Sequence, residues 1–245
     1  MERGDADPLT DLAQPRMHAG GMLAVGVDGC SKGWVAVAID EHGFVGAALV
    51  ATIDRAEHAF PDADGFGIDM PIGLLAEGLR AADVEARRHV GGRARSVFMT
   101  PPRPVLELAD HAQATALAVQ LTGAGVSRQA HGLRRKILEV DQWLPTAGRP
   151  VWEVHPELSF RTLAGQPLAA PKDSWNGAIR RRTLLAEAGV LLPDHLDQAG
   201  QAQVDDVLDA AVVAWSCRRL LRGQGQSWPD PPQPGPDGRP IAIWA

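Results

Sequence analysis

The sequence has little cysteine, no net positive charge and no long apolar run. Its 245 residues include two cysteines, Cys30 and Cys217. Two thiols so far apart supply neither a disulfide framework nor a zinc site. Lys and Arg number 24 against 30 Asp and Glu, a formal net charge of −6, so no global positive field advertises a polyanion binder. No stretch approaches the roughly 20 apolar residues of a membrane-spanning helix. Residues 1–21 are polar and lack the apolar centre of a secretory signal. The basic clusters carry no interleaved aromatics of the kind that stack on single strands, and no internal repeat is present. The expectation is a cytoplasmic protein with no membrane partner; no feature specifies its oligomeric state.

What is there suits one enzyme-sized domain. Apolar residues make up 45% and charged residues 22%, ordinary values for a globular chain long enough to bury a full core. Residues 1–21 read as a disordered tail and 22–245 as a single domain. Within it, 223–239 is rich in Pro, Gly and Gln and reads as a surface loop. The apolar PIAIWA that follows ties the chain end down as a strand or against the core.

Apolar, β-branched segments at 22–29, 34–40 and 44–52, punctuated by GCSKG and EHG, predict three hairpin-linked strands. GFGIDM (65–70) is almost wholly apolar and predicts a central fourth strand. Helical periodicity follows at 82–90, 105–121 and 127–143. PVWEVH (150–155) predicts a fifth strand, with helices over 174–188 and 203–222. The order β-β-β-α-β-α-β-α is mixed α/β, with a helical insertion of about 80–147 between strands four and five. A sheet ordered 3-2-1-4-5 with helices on both faces puts the carboxyl ends of strands one, four and five side by side, where such folds bind ligands.

Acids stand at those ends. Asp28 closes the first strand, Asp69 the fourth and Glu153 the fifth, while Asp206 and Asp209 share a face of the last helix, as do Asp205 and Asp209. Carboxylates brought together in a core repel unless a cation neutralises them, so an all-oxygen site for a divalent metal is the first hypothesis. Each acid also has a plainer role. Asp28-Gly29 suits a hairpin turn, Asp69 a cap two residues before Pro71, and Glu153 a solvated strand face. Asp205 and Asp206 suit the first turn of a helix. His155, ahead of Pro156, is expected to cap or bond locally, and Cys30 to be a buried structural thiol.

The motifs VGVDGCSKGW, GIDMPIGL, RSVFMTPPRP, EVHPELSFR and DDVLDAAVVAW resemble an uncharacterised bacterial and archaeal family described as predicted RNase H-like nucleases. The likeness runs from Met22 to Ala245. It implies an RNase H-like core close to the Holliday-junction-resolvase branch. It also implies Asp28, Asp69, Asp206 and Asp209 as metal ligands, Glu153 as a further family position, and a pair of Mg²⁺ or Mn²⁺ ions. Resolvases generally carry Glu where Asp69 stands. The expected activity is two-metal hydrolysis of phosphodiester bonds in DNA or RNA, with Lys32, Arg93, Arg95 and Arg103 as phosphate contacts. The clusters 134–136, 180–182 and 218–222 are either a polyanion track or solvated helix faces. Two other classes stay open. Asp28 to Gly33 also resembles the first phosphate loop of the actin-like and sugar-kinase phosphotransferases, though the chain is short for their two-domain plan. A non-catalytic module keeping the acids for structure or a small ligand is the third.

Overall fold

Three apolar stretches rich in Val and Ala, separated by two-residue turns, fold back on one another. They form β1 (Ala24–Cys30), β2 (Gly33–Asp40) and β3 (Gly43–Val50). Both turns end on glycines with positive φ, Gly33 at 127° and Gly43 at 119°, a backbone that residues with a Cβ rarely adopt. After α1 (Ile53–Ala59) the chain returns as β4 (Gly65–Ile68). The insertion then runs through α2 (Ala81–His89), α3 (Arg103–Glu107), α4 (His111–Thr122), α5 (Arg128–Gly132) and α6 (Arg134–Trp143) before β5 (Val151–Glu153). Next come α7 (Pro156–Ala164), α8 (Trp175–Glu187), α9 (Val204–Leu221), β6 (Ser227–Pro234) and β7 (Pro240–Trp244). This computed structural model describes residues 21–91 and 96–245. The expected tail, Gly21 apart, and the candidates Arg93 and Arg95 lie outside the described residues.

The five-stranded sheet has the expected order β3-β2-β1-β4-β5. β1 pairs antiparallel with β2, while β1–β4 and β4–β5 are parallel. Helices cover both faces. On one, Val25, Val27, Trp34, Ala36, Phe66 and Ile68 pack against α1 and α6; on the other, Ala24, Val35, Val37 and Ile39 pack against α7, α8 and α9. The strict alternation of strand side chains explains why neighbouring residues divide between the two cores.

Three expectations shift at the level of single elements. The helix expected over 105–121 divides, because Asp110 caps α4 by accepting from the Gln113 amide. The segment over 127–143 divides likewise into α5 and α6. Within the expected loop 223–239, residues 227–234 form β6, paired with β7. Pairing skips from Trp228 to Gln233, across prolines that have no N–H to give a ladder.

Glycine sets how closely α9 lies on the sheet. A Cβ on Gly26 of β1 would stand 2.1 Å from both the Ala210 carbonyl oxygen and the Ala214 nitrogen, and one on Gly67 of β4 would stand 2.9 Å from Val213. A Cβ on Gly65, earlier in β4, would meet Leu221 at 3.2 Å. The helix therefore runs antiparallel to β1 and β4, and its N-terminal turns lie over their carboxyl ends.

Candidate metal centre

Strand parity and helix direction bring three acids together. Asp28 follows Gly26 by two residues on β1, and Asp69 follows Gly67 by two at the end of β4. Both carboxylates therefore leave the sheet on the α9 side. The Asp69 amide donates to the Val27 carbonyl at 2.9 Å, extending the parallel ladder by one residue. Asp209 descends from α9, one position before the Ala210 that rests on Gly26. One carboxylate oxygen from each of Asp28, Asp69 and Asp209 lies within 4.8 Å of the other two.

The electrostatics are those of an anion cluster removed from water. Burial, then the Asp69 and Asp209 carboxylates, raise the Asp28 pKa well above the usual carboxylate range. Burial and the Asp209 charge push Asp69 up to about 8. Burial lifts Asp209 to about 6, against the pull of Lys172. The metal-free cluster thus holds protons at pH values where ordinary aspartates are ionised. Asp28 Oδ1 accepts from the Gly29 amide at 2.7 Å. Asp209 Oδ1 is buried and has no hydrogen-bond partner among the described residues. An orphaned carboxylate oxygen is costly in a core, and all-oxygen coordination of a hard divalent cation is what this donor set fits.

Lys172, in the connection between α7 and α8, is a participant the sequence analysis did not select. Its ammonium donates to Asp209 Oδ2 at 2.6 Å and stands 3.5 Å from Asp205 Oδ2. Burial works against that charge, but Asp209, Asp28 and Asp69 outweigh it and raise the lysine pKa. Asp206 lines the cavity that opens over the cluster but is not among the three clustered carboxylates. Its pKa is raised by burial and by Asp205.

Glu153 stands on the other side of the sheet. In the β4–β5 register it lies beside Ile68, whose side chain belongs to the α1/α6 core, so Glu153 points away from the three aspartates. There it pairs with the buried Arg80 guanidinium and accepts from the Ile72 amide at 2.7 Å. Arg80 also donates to Thr100 Oγ1 at 3.0 Å and lies 3.7 Å from Asp83. Burial raises Glu153 to about 7 even against this guanidinium. His155 has the local role expected of it: Nδ1 caps α7 by accepting from the Glu157 amide at 3.2 Å, and Nε2 donates to the Ser96 carbonyl at 3.4 Å. Burial lowers its pKa, so the ring is neutral with both nitrogens engaged. Cys30 is a buried thiol.

The remaining candidates do not join the cluster. Lys32 donates to Gln201 Oε1 at 3.1 Å, within the tight β1–β2 turn rather than an open phosphate loop. Arg103 pairs with Asp141 at 2.6 Å and borders a separate cavity with Asp237 and Arg239. Two of the basic clusters each turn one arginine inward. Arg181 is buried against Glu157 at 2.6 Å, and Arg218 donates to the Asp40 carbonyl at 2.6 Å. Lys136 of α6 stands closer to the site, with its side chain against Gly29 and its ammonium 4.3 Å from the Trp34 ring centroid.

A cavity of about 320 Å³ opens over the cluster, with Asp28, Asp69, Asp209 and Lys172 on one wall and Phe98, Thr100 and Glu153 on another. No helix among the described residues is long and apolar enough to cross a membrane. No curated protein and no solved structure matches this chain. Residues 26–234 match a family model described as a protein of unknown function, DUF429. That span runs from Gly26, the glycine beneath Ala210, to the end of β6 and holds every residue of the cluster. The chain belongs to the DUF429 family.

Proposed function

We propose that this protein is a metal-dependent hydrolase of phosphodiester bonds, with nucleic acid as its substrate class. One observation carries the reading: Asp28, Asp69 and Asp209 converge from two strand ends and a helix, and the buried Asp209 Oδ1 has no hydrogen-bond partner among the described residues. The motif resemblance to predicted RNase H-like nucleases supports it, as does the strand order that sets these acids side by side.

Asp28, Asp69 and Asp209 would hold a Mg²⁺ or Mn²⁺ ion. When bound, such an ion lowers the pKa of coordinated water and offsets charge on a phosphoryl oxygen. The chain's own residues do the rest. Asp28, on the central strand, is the most rigidly placed carboxylate. Lys172 offers a permanent positive charge beside the place where an anionic phosphate must enter. Because the acids bind protons in the metal-free protein, loading the site releases them and favours neutral to alkaline pH.

The test is calorimetric titration of Mn²⁺ into the wild type and Asp28→Asn, followed by incubation of both with branched DNA and with an RNA–DNA hybrid. Mn²⁺ binding and strand cleavage, both lost in Asp28→Asn, are expected. Equal cleavage by the two proteins, or Mn²⁺ binding with both substrates left intact, would count against the nuclease reading.

A further inference from the structure

Asp209 divides its two oxygens. Oδ2 accepts from the Lys172 ammonium at 2.6 Å, whereas Oδ1 is buried and unpartnered among the described residues. Asp205, one turn earlier on the same helix face, holds the ammonium from its other side at 3.5 Å. Two carboxylate oxygens of α9, Asp209 Oδ2 and Asp205 Oδ2, therefore hold a lysine, while Asp209 Oδ1 is left without a hydrogen-bond partner among the described residues.

The ions of a two-metal site lie about 3.5–4 Å apart, so a second ion would draw on carboxylate oxygens beside the first. Asp209 Oδ2 and Asp205 Oδ2 are taken by a fixed cation, and a divalent ion placed on Asp209 Oδ2 would meet the ammonium at contact distance.

We propose that Lys172 is the second cation of this centre, so that the protein holds a single divalent ion on Asp28, Asp69 and Asp209 Oδ1. The ammonium stands where a second metal would otherwise be. This deepens the phosphodiesterase reading and rests on its metal site. It replaces the pair of ions expected from the sequence by one ion and one lysine.

The experiment counts Mn²⁺ per full-length chain by calorimetry and native mass spectrometry, scoring only ions lost on addition of Asp28→Asn. Wild type, Lys172→Ala and Lys172→Met are compared; the methionine keeps the bulk of the lysine stem without its charge. One ion in the wild type and two in the neutral variants are expected, because removing the ammonium frees Asp209 Oδ2 and Asp205 Oδ2 for metal. Two ions in the wild type overturn the assignment whatever the variants do. So does a folded neutral variant that still binds one. Either result leaves a metal centre standing, whereas no site-specific ion in any of the three proteins removes the metal reading together with the lysine's role.

Discussion

Two acids at the ends of neighbouring strands, the half-buried Asp69 and the buried Glu153, face opposite sides of one sheet and have opposite surroundings. Glu153 has its own guanidinium and a backbone amide; its charge is answered within the protein. Asp69 sits with Asp28 and Asp209, and Lys172 is the cation that the hydrogen bonds place among them. The lesson is that burial of a carboxylate does not mark a site. A shortage of nearby positive charge does, because the folded chain then retains a deficit that a ligand can fill.

The sharpest way to break this contrast is Arg80→Ala. It leaves Glu153 and Asp83 buried without their counter-ion, and losing one partner of a buried pair costs about 3–5 kcal/mol. Urea denaturation should show a loss of that size, with the Mn²⁺ count of the folded protein unchanged. A drop below about 1 kcal/mol would mean that the network is not what holds the insertion to β5.

The second test is pH. Asp69 is raised from 3.8 to about 8 and Asp209 to about 6. The folded state therefore binds more protons than the unfolded chain between those values. Metal-free stability is full below about pH 4 and declines as pH rises towards 8, by up to about 1.4 kcal/mol per unit for each proton. The melting temperature without metal should fall from pH 5 to pH 8, and Mn²⁺ should restore more of it at pH 8 than at pH 5. In Asp28→Asn the decline should be shallower. A metal-free melting temperature that rises over this range would refute the assigned sign.

Gly26→Ala comes third. Its methyl would enter the contact between β1 and the Ala210 carbonyl, and overpacking of this kind costs about 1–3 kcal/mol. Because Asp209 rides on the displaced helix, Mn²⁺ affinity should fall with stability, whereas Arg80→Ala should separate the two. The smallest effect belongs to Arg103→Ala and Lys32→Ala. Their partners are Asp141 and Gln201, contacts worth about 0–1 kcal/mol at the surface. Neither variant should alter Mn²⁺ binding, and a loss of binding in Lys32→Ala would return that residue to the site.

The sheet and the three central aspartates were legible because long, strongly patterned segments fix both element type and chain order. Asp28, Asp69 and Asp209 follow from strand ends and one helix face. The side of the sheet taken by Glu153 was not legible. β5 has three residues, too few for alternation to reveal parity, and the register comes from pairing with β4. Lys172 gave no signal, since a lysine in a polar connection looks solvated until the fold carries it onto α9. Arg181 and Arg218 misled in the opposite sense: runs of basic residues read as surface, yet each places one guanidinium inside, where Glu157 and a backbone carbonyl receive it. β6 was hidden by its prolines, which the ladder tolerates only by skipping them.

The contact of α9 with Gly26 and Gly67 has a consequence for motion. Asp209 belongs to a helix whose next residues, Ala210 to Ala214, are fully or almost fully inaccessible and rest directly on strand backbone. No local hinge separates that carboxylate from the middle of the molecule. Amides of this helix should exchange with solvent only through the largest opening events of the fold, so a cation would meet a receptor whose shape is set before it arrives and fluctuates no more than the core itself.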